Sequence, residues 1–101
     1  MKFIVLFEDH PDAAPDIRKT HMSRHLTFLE SRSDMIEAAG PLSDPTNAGR
    51  DGLWIVEADR EEDVERLIRE DPFWPTGLRK SWSILTWKQV YAAGGRLIEA
   101  V

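Results

Sequence analysis

Five consecutive apolar residues, Phe3-Ile4-Val5-Leu6-Phe7, open the chain. In a strand, successive side chains point to opposite faces of the sheet. Phe3, Val5 and Phe7 therefore face one way, and Ile4 and Leu6 the other. Such a strand needs cover on both faces. Gly52-Leu53-Trp54-Ile55-Val56-Glu57-Ala58 repeats the pattern, with Leu53 and Ile55 on one face and Trp54 and Val56 on the other. Both strands are apolar at both parities, so something must pack on each side of the sheet.

The rest of the sequence supplies the cover for one side. After the loop His10 to Pro15, with its two prolines, a helix is predicted over Ile17–Ser31, with Asp16 placed to cap it. At 100° per residue, Met22, Leu26 and Leu29 form one apolar strip, and Ile17 and Phe28 a second beside it. His25 falls between the two, an odd place for a solvated histidine. Met35 to Leu42 reads as a second strand that ends or bulges at Gly40-Pro41. A turn-rich loop joins it to the strand Gly52–Ala58, so the pair is expected to form a hairpin. Asp59 is placed to cap a second helix, whose first turn carries Glu61, Glu62 and Asp63 and whose buried face is Val64, Leu67 and Ile68. That helix must stop near Glu70, because Pro72 disfavours helical geometry at Asp71. Phe73 to Leu78 is an aromatic loop or a short helical turn. Ser81 to Trp87 is the fourth strand, with Trp82, Ile84 and Thr86 on one face and Leu85 and Trp87 on the other. Lys88 to Val101 is expected to add a short strand or helix to the core.

The element order is βαββαβ. It defines an α+β, ferredoxin-like domain: an antiparallel four-stranded sheet with two helices. Right-handed crossovers put both helices on one sheet face. The opposite face would then stand bare, yet both parities of these strands are apolar: Phe3, Val5 and Phe7 as well as Ile4 and Leu6, and Leu53 and Ile55 as well as Trp54 and Val56. A second copy packing sheet to sheet covers it, which gives a homodimer. In the alternative, the C-terminal tail folds over that face and the protein is a monomer.

With 101 residues, the sequence suffices for one domain, 1–101, of which 88–101 is a C-terminal extension. The net charge of −5, with no cluster of Lys or Arg, argues against a nucleic-acid partner or an anionic membrane surface. There is no cysteine, which excludes disulfides, thiolate catalysis and thiolate-bound metals. The apolar run at the N-terminus stops at Glu8-Asp9, too short for a signal peptide, and no run is long enough to span a membrane. A cytoplasmic location is the expectation.

Three short stretches carry a resemblance: Arg24-His25-Leu26 on the first helix, Ala39-Gly40-Pro41 at the end of the second strand, and Asp71-Pro72-Phe73 after the second helix. Together and in this order they resemble the YciI-like (YCII-related) family, over nearly the whole chain except the last dozen residues. The resemblance implies a dimeric α+β barrel with a histidine–aspartate pair in a pocket. It places the catalytic pair at His25 and Asp71, with Gly40 and Pro41 lining the same pocket and Arg18 at a basic position often seen in the family. Phe73, beside the helix break, is expected to shape the pocket. Many relatives have arginine three residues before the histidine, where this chain has Met22.

Such a pair has a direct chemical use. A neutral imidazole takes a proton near neutral pH, and a carboxylate on its other nitrogen fixes the tautomer and stabilises the imidazolium. This suits proton abstraction, isomerisation or elimination, dehydrochlorination among them, on a small cyclic or aromatic substrate without a cofactor. Relatives associated with the breakdown of chlorinated aromatics imply such chemistry by resemblance. The same two residues also serve a purely structural pair, in which Asp71 caps a turn and satisfies a core histidine. Two further alternatives stay open: a non-catalytic protein that binds or senses a small molecule in that pocket, and an accessory domain with an inert pocket. His21 and His25 have a metal-ligand spacing, but no third ligand lies in sequence reach, so no metal site is assigned. His10, in its proline-bounded loop, is solvated or rims the pocket.

Overall fold

In the computed structural model, which describes residues 1–99, the first strand is β1 (Lys2–Asp9), the centre of the fold. It is followed by α1 (Ile17–Ser31), β2 (Ile36–Pro41), β3 (Gly52–Glu57), α2 (Glu61–Glu70), the 3₁₀ turn Trp74–Thr76 and β4 (Arg79–Thr86). The four strands form one antiparallel sheet in the order β2-β3-β1-β4. This is the ferredoxin-like βαββαβ topology expected from the element order.

Parity sorts the side chains of the sheet. Phe3, Val5, Phe7, Trp54 and Val56 are buried, and they form one core with Val64, Leu67 and Ile68 of α2. Phe28 and Leu29 of α1 pack against the same cluster. Phe7 meets Trp54 edge to face at 5.2 Å, a favoured aromatic geometry. On the other face, Ile4, Leu6, Leu53 and Ile55 are only half-buried and Leu85 is 49% exposed.

Several boundaries differ from the sequence-based expectation. Asp59 does not cap α2. Arg60 holds the cap position in an extended conformation, without a side-chain cap bond, and the helix begins on three acids that favour its dipole. The irregularity in β2 falls between Ile36 and Ala38 rather than at Gly40-Pro41, which remain paired with Leu53 and Gly52. β4 begins at Arg79, two residues before Ser81. Its ladder with β1 slips there: Ser81 faces Glu8 and Arg79 faces Asp9, so Lys80 is the extra residue of a bulge. Gly77 ends the 3₁₀ turn at φ 81°, a left-handed conformation that glycine accepts without strain.

Among the described residues, the tail does not join the core. β5 (Tyr91–Ala92) and β6 (Gly95–Arg96) pair only with each other. Ala93 and Gly94 turn the hairpin with φ of 52° and 79°, the sense that suits a two-residue connection. Val90, Tyr91, Leu97 and Ile98 are exposed. Ala100 and Val101, the end of the predicted tail, lie outside the described residues.

Ile68, 1% exposed between helix and sheet, tests the core. Ile68→Ala should lower the unfolding free energy by about 2–5 kcal/mol, read as a shifted urea midpoint with an unchanged slope.

Candidate functional site

α2 stops at Asp71 for the reason Pro72 dictates: its backbone is extended, at φ −63° and ψ 131°, while its N–H still bonds Leu67 O at 3.2 Å. The side chain then folds back over the break. Asp71 Oδ1 accepts the Phe73 N–H at 3.1 Å, as aspartates at turns commonly do, and Trp74 N–H reaches the Asp71 carbonyl at 2.9 Å. The carboxylate is thus fixed by local backbone before any distant residue meets it.

His25 arrives from α1. It is the one buried side chain of that helix, and it sits where the two apolar strips leave a gap. Its Nδ1 lies 2.7 Å from Asp71 Oδ1, with the histidine 7% and the aspartate 3% exposed. A carboxylate can only accept, so Nδ1 carries the proton and donates it. Nε2 of the neutral ring then holds the lone pair. Among the described residues it has no hydrogen-bond partner. Phe73 stacks on the imidazole at 4.2 Å and 23° and fixes the plane of the ring.

His25 faces a small hollow of about 100 Å³. α1 contributes Arg18, Met22, Leu26 and Leu29 to its wall, and β2 contributes Ala39, Gly40 and Pro41. Trp54 and Arg79 complete it. The expected residues Arg18, Gly40 and Pro41 therefore share a hollow with His25. Phe73 departs from the expectation. It is 1% exposed and lies behind the imidazole, so it shapes the site through the ring and not as part of the wall. His10 is exposed and outside the hollow. His21 Nδ1 instead meets the guanidinium of Arg24. Among the described residues, no three His, Asp or Glu side chains gather as metal ligands.

Arg79 is the residue that pattern reading missed. The bulge at Lys80 turns it toward the helices, where its side chain is 5% exposed. Its Nη1 donates to Asp9 Oδ1 at 3.0 Å, and its guanidinium lies 4.2 Å from the Phe7 ring centroid. The other oxygen of Asp9 takes Arg18 Nη2 at 2.7 Å. One carboxylate is therefore shared by two guanidinium groups. Burial pushes the Arg79 pKa below the usual guanidinium range; Asp9 opposes the shift and Arg18 adds to it. Arginine nevertheless stays charged in a protein. Gly52 makes the room: a Cβ there would stand 2.9 Å from Arg79 Nη1.

Fold and site together define a ferredoxin-like α+β domain with a buried histidine–aspartate pair beside a small hollow that carries two arginines. The YCII-related domain model matches residues 1–88, and the chain belongs to that family. No curated protein matches the sequence. Among solved structures, it is similar to 5-chloro-2-hydroxyhydroquinone dehydrochlorinase from Burkholderia phenoliruptrix in complex with 2,5-dihydroxybenzoquinone. Identity is 25%, the TM-score is 0.70, and the match covers 87% of this chain and 94% of that one. A protein from Arabidopsis thaliana shares the fold at 12% identity and a TM-score of 0.51, over 91% of this chain and 97% of that one. No helix among the described residues is long and apolar enough to cross a membrane.

Asp71 holds two donors, His25 Nδ1 and Phe73 N–H. Asp71→Ala strands both and should destabilise the protein by about 2–4 kcal/mol. Asp71→Asn keeps an acceptor for the backbone N–H and should lose about half as much, by comparison of urea midpoints.

Proposed function

We propose that this protein is a small cofactor-independent acid–base enzyme in which His25 Nε2 is the general base and Asp71 holds the imidazole in the tautomer that leaves Nε2 bare. The carrying observation is the 2.7 Å contact between His25 Nδ1 and Asp71 Oδ1 at the wall of the hollow. In the reaction, Nε2 takes a proton from a C–H or O–H of the substrate, and the imidazolium is stabilised by the adjacent carboxylate. The electron pair left on the substrate moves into the ring. It returns to carbon in an isomerisation, or expels a leaving group such as chloride in an elimination. The imidazolium then gives up its proton and the base is restored. Arg18, Gly40 and Pro41 contact the substrate, and Phe73 steadies the imidazole. The similarity to a dehydrochlorinase supports a small cyclic or aromatic substrate, with dehydrochlorination among these reactions.

The same reading pairs two copies of the chain through the open sheet face. The half-buried Ile4, Leu6, Leu53 and Ile55 and the exposed Leu85 support this, because a contiguous apolar sheet surface is unfavourable in water. Light scattering should give about twice the chain mass of 11.6 kDa, and Ile55→Asp should return the mass to that of one chain. A single-chain mass for the unmodified protein would refute the pairing.

The catalytic assignment is tested with chlorinated hydroxyhydroquinones, enols and lactones, following chloride release or product absorbance. His25→Gln should lower kcat/KM by about 10²–10⁴-fold, and Asp71→Asn by about tenfold or more. Equal turnover in all three proteins would remove the pair from the chemistry. Binding of 2,5-dihydroxybenzoquinone with no turnover of any substrate would identify a binding protein.

A further inference from the structure

We infer that Arg79 is the anion-recognising residue of the hollow, and that the ligand it takes is a small planar molecule bearing an ionised oxygen, a phenolate or enolate. The inference rests on the acid–base reading for its biological meaning, but it stands on separate observations.

The first is the placement of Arg79. A guanidinium on a surface strand would normally extend into water. Here the bulge at Lys80 turns it inward, and the missing side chain at Gly52 leaves it space. It lines the same hollow as His25. The second is its incomplete satisfaction. Nη1 is bonded to Asp9, but the buried Nε has no hydrogen-bond partner, which is costly for a charged group. The third is the charge balance. Arg18 and Arg79 share the single carboxylate of Asp9, and Asp71 is the other negative charge that acts on Arg79, so one positive charge is in excess at this end once His25 carries a second proton.

That excess complements the acid–base pair. With a neutral His25, Asp71 contributes a negative charge of its own. When a substrate proton passes to Nε2, the imidazolium and Asp71 balance each other. The negative charge left on the substrate is carried in part by its oxygen, and the uncompensated positive charge lies at the arginine end. The wall between them includes Met22, Leu26, Leu29 and Trp54, and apolar surroundings strengthen such an attraction. A simple Arg79–Asp9 strut between β4 and β1 would need neither the hollow nor a second arginine on the same carboxylate.

The test uses 4-nitrophenol, whose phenolate has its own visible absorption band, and its neutral ether 4-nitroanisole. Bound to the full-length protein, the phenol should ionise at a pH lower by about one unit or more than in free solution, equivalent to about tenfold tighter binding of the phenolate than of the phenol. Arg79→Met should abolish that preference while leaving nitroanisole affinity within about twofold, and Arg79→Lys should restore part of it. His25→Gln should keep part of the preference, because Arg79 is unchanged although Asp71 is left without an imidazolium beside it. The equilibrium measurement therefore separates this inference from the catalytic reading, which is judged by turnover. An unshifted ionisation, a shift that survives Arg79→Met, or failure of the wild-type protein to bind the phenolate would each overturn it. Thermal unfolding of each variant identifies any that fails to fold. If Arg79→Met does so, Arg79→Lys carries the comparison, and a full-sized shift there with no loss of phenolate affinity would also overturn the assignment.

Discussion

The hydrogen bond between His25 and Asp71 joins the first helix to the broken end of the second. α2 presents a full apolar face to the sheet through Val64, Leu67 and Ile68. α1 does not: its neighbours of His25 are partly or largely exposed, and the imidazole is its buried anchor. Buried polar groups are tolerated when every donor and acceptor is matched. Here the backbone of the Asp71 turn orients the carboxylate, the carboxylate orients the imidazole, and Phe73 sets the plane of the ring. Each step confines the next, so the bare nitrogen has a defined position at the hollow.

Much of this architecture was legible in the residues. Strand parity in Phe3–Phe7 and Gly52–Ala58 showed that both sheet faces needed cover but not which one the helices take, and Pro72 located the end of α2. His25 stood out because the helical pattern left no apolar residue at its position. The meeting of His25 with Asp71 was not contained in any local pattern. It came from the family resemblance, and the structure brings the two within hydrogen-bond distance across 46 positions of sequence. Phe73 was legible as a neighbour of the site but not in its placement behind the ring.

Arg79 was invisible for a physical reason. Read with a period of two, it shares a parity with Ser81, Ser83 and Leu85, the open face, and looks like one more solvated arginine. The ladder slip at Lys80 breaks that parity. Periodicity cannot reveal a bulge, because the bulge is the place where the period fails. Asp59 failed as a cap for a different reason: three acids in the first turn already satisfy the helix dipole, and the chain enters through an extended Arg60. The tail misled because its apolar residues resemble core material, whereas its two short strands bond only to each other.

The bulge at Lys80 also bears on how this scaffold can diversify. A deletion or insertion in a strand usually moves every following side chain to the opposite surface. At the start of β4 that disturbance is confined to Arg79, just after the turn, while Ser81 to Thr86 keep their partners on β1. A one-residue change in length there would swap a cation for whatever lies next to it and leave the hydrophobic layer untouched. The margin of the sheet is thus a position at which the polarity of the cleft can be rewritten by chain length alone, independently of the imidazole opposite.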